Sequence, residues 1–234
     1  MDKKARSDAS AEIRRIFAVY RKAQSSDAMV LKALTDGKLY ELFVLSHVIE
    51  DLKNRGFTIA FKGAQQAAGV GARSSTLKFK ASPGKISNAD SHFEISCPQS
   101  STVDFRIFVD IEFETLGHQQ NGATDNSQRH ELDIVVTTAA NGYPKFYEIA
   151  LAVECKAVAN FQKRILREAL GVRRELSFLR DLRPSTLSRS ICASSVYVQA
   201  YPASEFLLIF IDPKGISYSQ SPAAFGIELR HLPP

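Results

Sequence analysis

Hydrophobic and polar positions along this chain change period several times, and each change marks an element. Ile13, Ile16, Phe17 and Tyr20 recur at helical spacing, which predicts a helix over 9–23. Residues 36–55 carry the clearest helical pattern of the N-terminal part. Asp36 is placed to cap its start and Gly56 stands where a helix commonly stops. A short apolar run, 57–61, predicts a strand, and the Gly-, Ala-, Gln- and Ser-rich stretch 62–75 predicts a loop. Segments 76–80 and 92–97 read as short strands on either side of a turn at Ser82-Pro83-Gly84. From 104 to 115 the period is two. Phe105, Ile107, Val109, Ile111 and Phe113 fall on one face, and Arg106, Asp110, Glu112 and Glu114 on the other. Residues 117–129 are polar and predict a mobile loop. Two further strands, 131–138 and 146–157, are joined by a turn at Asn141-Gly142-Tyr143-Pro144. Phe161, Ile165, Ala169, Val172, Leu176 and Leu179 form the apolar stripe of a long helix over 160–182. Strands at 195–200 and 206–212 follow. Helices alternating with strands give an α/β fold, with a central mixed sheet of four to five strands flanked by helices.

Composition narrows the class without naming it. The 234 residues are 44% hydrophobic, enough for one sizeable core. The expected organisation is an N-terminal helical extension, 1–35, ahead of a domain over 36–234 with an insertion at about 57–103. Three cysteines form no disulfide framework and point to a reducing compartment. No apolar run approaches the length of a membrane span, and the N-terminus lacks a secretory hydrophobic region. The expectation is a cytoplasmic protein with no membrane partner.

The net charge of +5 is small, but it is unevenly placed. Residues 1–22 and residues 160–183 each carry seven basic side chains against three acidic ones, net +4. Residues 104–133 carry seven acids and only Arg106 and Arg129, net −5. An acidic middle between basic flanks suits a protein that holds cations and a polyanion together. Solvated faces clustering by chance would give the same count.

The acids that carry chemistry lie on adjacent strands. Leu132, Ile134 and Val136 share one face of 131–138, with Asp133 on the other beside Val135. On 146–157, Glu154 and Lys156 project together on a face lined with the small residues Ala150 and Ala152. A hairpin centred between Tyr143 and Pro144 sets Asp133 directly opposite Glu154. Facing carboxylates repel unless a cation lies between them. Glu41 stands in a row with Leu45, Val48 and Leu52 on the preceding helix, so it needs a partner if that helix packs on the sheet. Asp110 and Glu112 are read as a solvated outer face rather than as further ligands. His130 is read as exposed, and His47, His92, His118 and His231 show no metal-ligand spacing. Cys155 is expected in the core rather than as a nucleophile. Gly69-Val70-Gly71 and Pro83-Gly84-Lys85 lack the residues a phosphate loop needs, and no Gly-x-Ser-x-Gly elbow occurs.

An aspartate on one strand, Glu-x-Lys on the next and a basic helix after it resemble the PD-(D/E)xK nuclease superfamily, the restriction-endonuclease-like fold. The match is Asp133, twenty intervening residues, then Glu154-Cys155-Lys156, with Glu41 in the place of the first core helix's glutamate. It spans roughly 36–212, and Leu132 stands where many members have proline. The resemblance implies a Mg²⁺-dependent endonuclease acting on DNA, in restriction or anti-phage defence, with Mn²⁺ able to substitute. Asp133, Glu154 and the Cys155 backbone carbonyl would hold the metal, Lys156 and Glu41 would join the catalytic set, and Arg164, Arg167, Arg173 and Arg174 would contact phosphates. A homodimer would supply the second active site that cutting a duplex requires, and a partner subunit that opens the substrate is the other arrangement. The alternative function is a non-catalytic nucleic-acid-binding or partner-binding module on the same fold.

Overall fold

The computed structural model describes residues 1–20, 28–65, 80, 82–98, 100, 102–190 and 196–234, with only the backbone of 28–30 and 190. The predicted strand 76–80 and most of the loop 62–75 fall outside the described residues, as does 21–23 of the first helix.

The N-terminal part is helical: α1 (Lys3–Phe17), a 3-10 turn (Ala18–Tyr20), α2 (Ala28–Ala33) and α3 (Asp36–Asn54). The cap of α3 is Thr35, whose hydroxyl accepts from Lys38 N at 3.3 Å, and not Asp36 as expected. Asp36 instead pairs with the Met1 ammonium at 2.6 Å and with Arg6. A carboxylate in the first helical turn favours the positive helix end and leaves the Ncap to a shorter hydroxyl. Beyond α3, Gly56 takes φ +97°, the left-handed turn that ends a helix.

The main sheet has seven strands in the order β1-β2-β3-β4-β5-β8-β9: β1 (Thr58–Lys62), β2 (His92–Ser96), β3 (Phe105–Glu114), β4 (Arg129–Thr137), β5 (Ile149–Lys156), β8 (Glu205–Phe210) and β9 (Ile227–His231). The pattern along the chain predicts only four to five. Segment 57–103, expected as an insertion, supplies β1 and β2 at one edge, and the C-terminal segment beyond the last predicted strand supplies β9 at the other. Neighbours from β1 to β5 are antiparallel, and β5, β8 and β9 are parallel. A short helix, α4 (Leu116–Asn121), lies within the segment expected to be loop. Its Thr115 cap accepts from His118 N, and Gly122 closes it at φ +66°.

The last long helix is shorter than its stripe predicts. α5 runs Lys163–Leu176 and gives way to β6 (Phe178–Pro184), which pairs with β7 (Tyr197–Tyr201) in a separate two-stranded sheet. Leu179 therefore leaves the stripe and lies exposed. α6 (Thr186–Ser190) precedes β7, and a 3-10 turn (Pro213–Tyr218) and α7 (Gln220–Ala223) precede β9.

Two cores sandwich the sheet. On one face α1 and α3 pack Ile13, Phe17, Leu45 and Val48 against Ile134, Val136 and Val153. On the other, Phe161 just ahead of α5 and Ile165 and Ala169 on it pack against Val135, Ala152 and Phe206. Each of the larger side chains among these is worth about 1.5–3 kcal/mol, and each alanine under about 1 kcal/mol. The buried ion pair of Arg55 with Glu205, bidentate at 2.7 and 2.9 Å, ties the end of α3 to β8.

The single-face reading of β3 is corrected at its middle. Phe105, Ile107 and Val109 pack in the α1/α3 core, whereas Ile111 and Phe113 pack in the α5 core. Asp110 between them has φ +52°. A left-handed residue reverses the facing of a strand at a cost of about 1–2 kcal/mol, least for Asp and Asn. β4 reverses beside it: Ile134 and Val136 lie in the first core and Leu132 in the second. The register Val109 to Ile134 and Ile111 to Leu132 leaves Asp110 and Asp133 at the two reversal points, on neighbouring strands.

Gly215 lies where a Cβ would come within 2.3 Å of the Phe210 ring. Gly215→Ala is expected to lower the melting temperature by several degrees, on the order of 1–3 kcal/mol. An unchanged melt would mean that the ring yields.

Candidate active site

β4 and β5 bring the first two acids together. Val136, Val135 and Ile134 pair with Leu151, Ala152 and Val153. That is the register set by a turn centred between Tyr143 and Pro144, with a bulge between Val136 and Thr137 nearer the turn. One step further along, Asp133 stands opposite Glu154. There the backbone pairing ends, and the Asp133 carboxylate takes its place by accepting from Cys155 N at 2.6 Å. The N–H and C=O of one strand residue point to the same neighbour, so the Cys155 carbonyl also faces the β4 side. Lys156 Nζ donates to Glu154 Oε2 at 2.8 Å.

α3 supplies the rest. Glu41 sits half-buried at the N-terminal end of the row formed by the buried Leu45, Val48 and Leu52. Lys38, one turn earlier, donates to Glu41 Oε2 at 2.7 Å and also pairs with Asp110 on β3. Asp110 is only 4% exposed, which overturns its reading as part of a solvated outer face. The reversal at φ +52° turns it inward, while Glu112 stays half-exposed near Arg129. Asp110 Oδ2 is buried with no hydrogen-bond partner. Lys38 is the residue that sequence reasoning passed over. Its signal was present as Lys38-x-x-Glu41, an i,i+3 pair on one helix face.

Four carboxylates thus meet two ammonium groups, and the imbalance shows in their proton affinities. Burial, with the nearby charges of Asp133 and Asp110, pushes Glu41 up to about 7 against the pull of Lys38. Burial and the Asp133 charge also raise Glu154, and burial raises Asp133 despite the Cys155 N–H and Lys156. Burial works against the charge of Lys38 and Lys156, but their carboxylate partners outweigh it and both are raised. Lys156 therefore holds its proton. Burial and the surrounding acids push the Cys155 thiol well up, so it stays protonated and is no nucleophile.

On α5, Arg164, Arg167 and Arg174 are exposed, whereas Arg173 is buried. Position 173 falls on the row Ile165, Ala169, Leu176 that faces the core, so Arg173 does not share the exposed face of the other three. His130 is exposed on β4.

Among the described residues, the three His or acidic groups whose ligand atoms lie within 4.8 Å of one another are Glu12, His47 and Glu50, on α1 and α3. No spacing in the sequence pointed to them. Arg15 already bridges Glu12 at 2.6 Å and Glu50 at 3.1 Å, so that cluster has its cation. The acids around Asp133 are held apart, each on its lysine or backbone partner. No described helix is long and apolar enough to cross a membrane. No family model matches the chain, and no curated protein or solved structure matches it.

Proposed function

We propose that this protein is a metal-dependent nuclease of the PD-(D/E)xK type that hydrolyses phosphodiester bonds in DNA. The observation that carries this reading is the meeting of Glu41, Asp110, Asp133 and Glu154, from four elements, with Lys38 and Lys156 as the basic side chains paired with them among the described residues. A surplus of buried carboxylate is costly for stability and is what a divalent cation removes.

The donor set fits Mg²⁺, which takes hard oxygen ligands and keeps several waters. The unpartnered Oδ2 of Asp110 fits the same requirement. Asp133, Glu154 and the Cys155 carbonyl would hold the ion, with Asp110 and Glu41 completing its surroundings. When bound, Mg²⁺ would polarise the scissile phosphate and offset the charge that develops on it. Lys156, which keeps its proton, offsets negative charge on the phosphate oxygens and orients the attacking water through hydrogen bonds. Lys38 fixes Glu41 and Asp110 relative to each other. Arg164 and Arg167, exposed at the start of α5, grip the flanking backbone, an attraction that weakens with salt and is indifferent to sequence.

The test is cleavage of plasmid and linear duplex DNA with Mg²⁺, with Mn²⁺ and with EDTA, by wild type and Lys156→Ala. Cleavage is expected with either ion, abolished by EDTA and lost in the variant. Metal-independent cutting, or full activity in Lys156→Ala, would sink the proposal. DNA binding without cleavage under any divalent ion would favour a binding module instead.

A further inference from the structure

A cavity lies at the far end of α5. Arg173 there donates to Ser204, just before β8, whereas Lys156 pairs with Phe210 at the other end of that strand. Six residues of strand separate the two ends, roughly 17 Å. A cavity of about 490 Å³ opens between α5, β6, β7 and the turn before β9, lined by Leu170, Phe178 and Phe225 together with Arg173, Arg174 and Gln199. That volume is within the range of small-molecule sites.

Arg173 is 3% exposed. Its Nε donates to Phe225 O at 2.8 Å, and its Nη1 to Ser204 O and Oγ at 3.0 Å. These acceptors are neutral. They satisfy donors and leave the charge uncompensated. Nη2 is buried with no partner, and among the described residues no carboxylate pairs with Arg173. Gly226, at φ +67°, brings its backbone close against this guanidinium edge, where a Cβ would come within 2.8 Å of Nη2. Arg174 is exposed and lies over the Phe178 ring at 5.2 Å. Phe225 is 42% exposed, a large apolar ring left in water.

A buried cation without a counter-ion, beside an exposed arginine and two aromatic rings, defines its complement. We propose that this cavity binds a phosphate carried on an aromatic body, the chemistry of a nucleoside phosphate, either free or at the end of a nucleic-acid strand. The phosphate lies between the rim guanidinium of Arg174 and the buried charge of Arg173. The base packs on Phe178 and Phe225, as bases stack on aromatic side chains in single-strand binding sites. This site stands independently of the nuclease reading, because it uses none of the acids around Asp133.

The experiment is calorimetric titration of the full chain in EDTA, so that no divalent ion bridges the ligand to the acidic site. The probes are AMP, adenosine, and a 5′-phosphorylated deoxyadenylate trimer. AMP is expected to bind saturably and at least tenfold more tightly than adenosine. Arg174→Gln and Phe225→Ala alter exposed side chains. Each should weaken AMP at least tenfold without shifting the melting temperature of the free protein. A trimer that binds more tightly than AMP supports the site and makes the ligand a strand end; a trimer no tighter than AMP supports it and makes the ligand a free nucleotide. The proposal is overturned by any of three results: no saturable binding of AMP or trimer, adenosine binding as tightly as AMP, or affinity unchanged in both variants.

Discussion

Asp133→Asn is expected to reduce Mg²⁺-dependent DNA cleavage by about 1000-fold and, in the same protein, to raise the melting temperature at pH 8. The two effects have one cause. Asparagine keeps an amide oxygen to accept the Cys155 N–H, now made to the carboxylate at 2.6 Å, so the local geometry survives. What is lost is one of four negative charges facing two lysines. Removing it takes the metal-free cluster from net −2 to net −1, and Glu154, Glu41 and Asp110 remain to pair with Lys156 and Lys38. A residue kept for folding loses stability when it is neutralised; a residue kept for holding a cation gains it. Thermal melts in EDTA and cleavage assays on the same preparation separate the cases. A lower melting temperature, with activity falling only as the folded fraction falls, would make Asp133 structural.

The metal-free protein is expected to lose stability as pH rises through neutrality, and a divalent ion should restore it. Glu41 binds its proton more tightly folded than unfolded, about 7 against 4.5. For a carboxylate raised in this way the contribution is fully present below pH 4.5 and is lost as pH climbs through 7. The difference amounts to about 3 kcal/mol from Glu41 alone, and Glu154 and Asp133 act in the same direction. The groups facing Glu41 are Lys38 on its own helix, Asp110 on β3 and Asp133 on β4. At pH 8, Mg²⁺ or Mn²⁺ should raise the melting temperature by several degrees. At pH 5 Glu41 and Glu154 hold protons and the same ion should do little. Glu41→Gln should flatten the pH dependence between 5 and 8. Below that window Asp36 and Glu12, both lowered by basic partners, oppose the trend. An ion effect equal at both pH values, or an unchanged slope in Glu41→Gln, would rule out this account.

The legibility of the site differs residue by residue. Asp133 and Glu154 could be paired on paper because a tight hairpin converts turn position into register, and the bulge between Val136 and Thr137 lies on the turn side of both. Glu41 could be singled out because a carboxylate in an apolar helical row needs a reason. Asp110 was misread because strict alternation assigns it to the outer face of β3. No pattern of residue types reveals that a single φ of +52° reverses the strand beneath it. Arg173 was misread for the converse reason. Helical spacing places it on the buried row, but a charged residue there is discounted in favour of Val172 and Leu179.

Short-range physics is legible in the residues alone: the period of α3, of β5 and of the start of α5, the turn that sets the hairpin register, and the charge of the segments that meet. Each depends on residues within a few turns or one hairpin of each other. The rest came from packing between distant parts of the chain. β1 and β2 extended the main sheet from β3, and β9 extended it from β8, because no tight turn joins these strands and their pairing is settled by packing. The long helix stopped at Leu176 because the following residues pair with β7. Lys38 and Asp110, separated by 71 intervening residues, became an ion pair because α3 packs over the point where β3 reverses. Burial then decided the chemistry, since the same carboxylates in water would be ordinary acids. The raised proton affinities of Glu41, Asp133 and Glu154 belong to the packing that gathers them with Asp110 around two lysines.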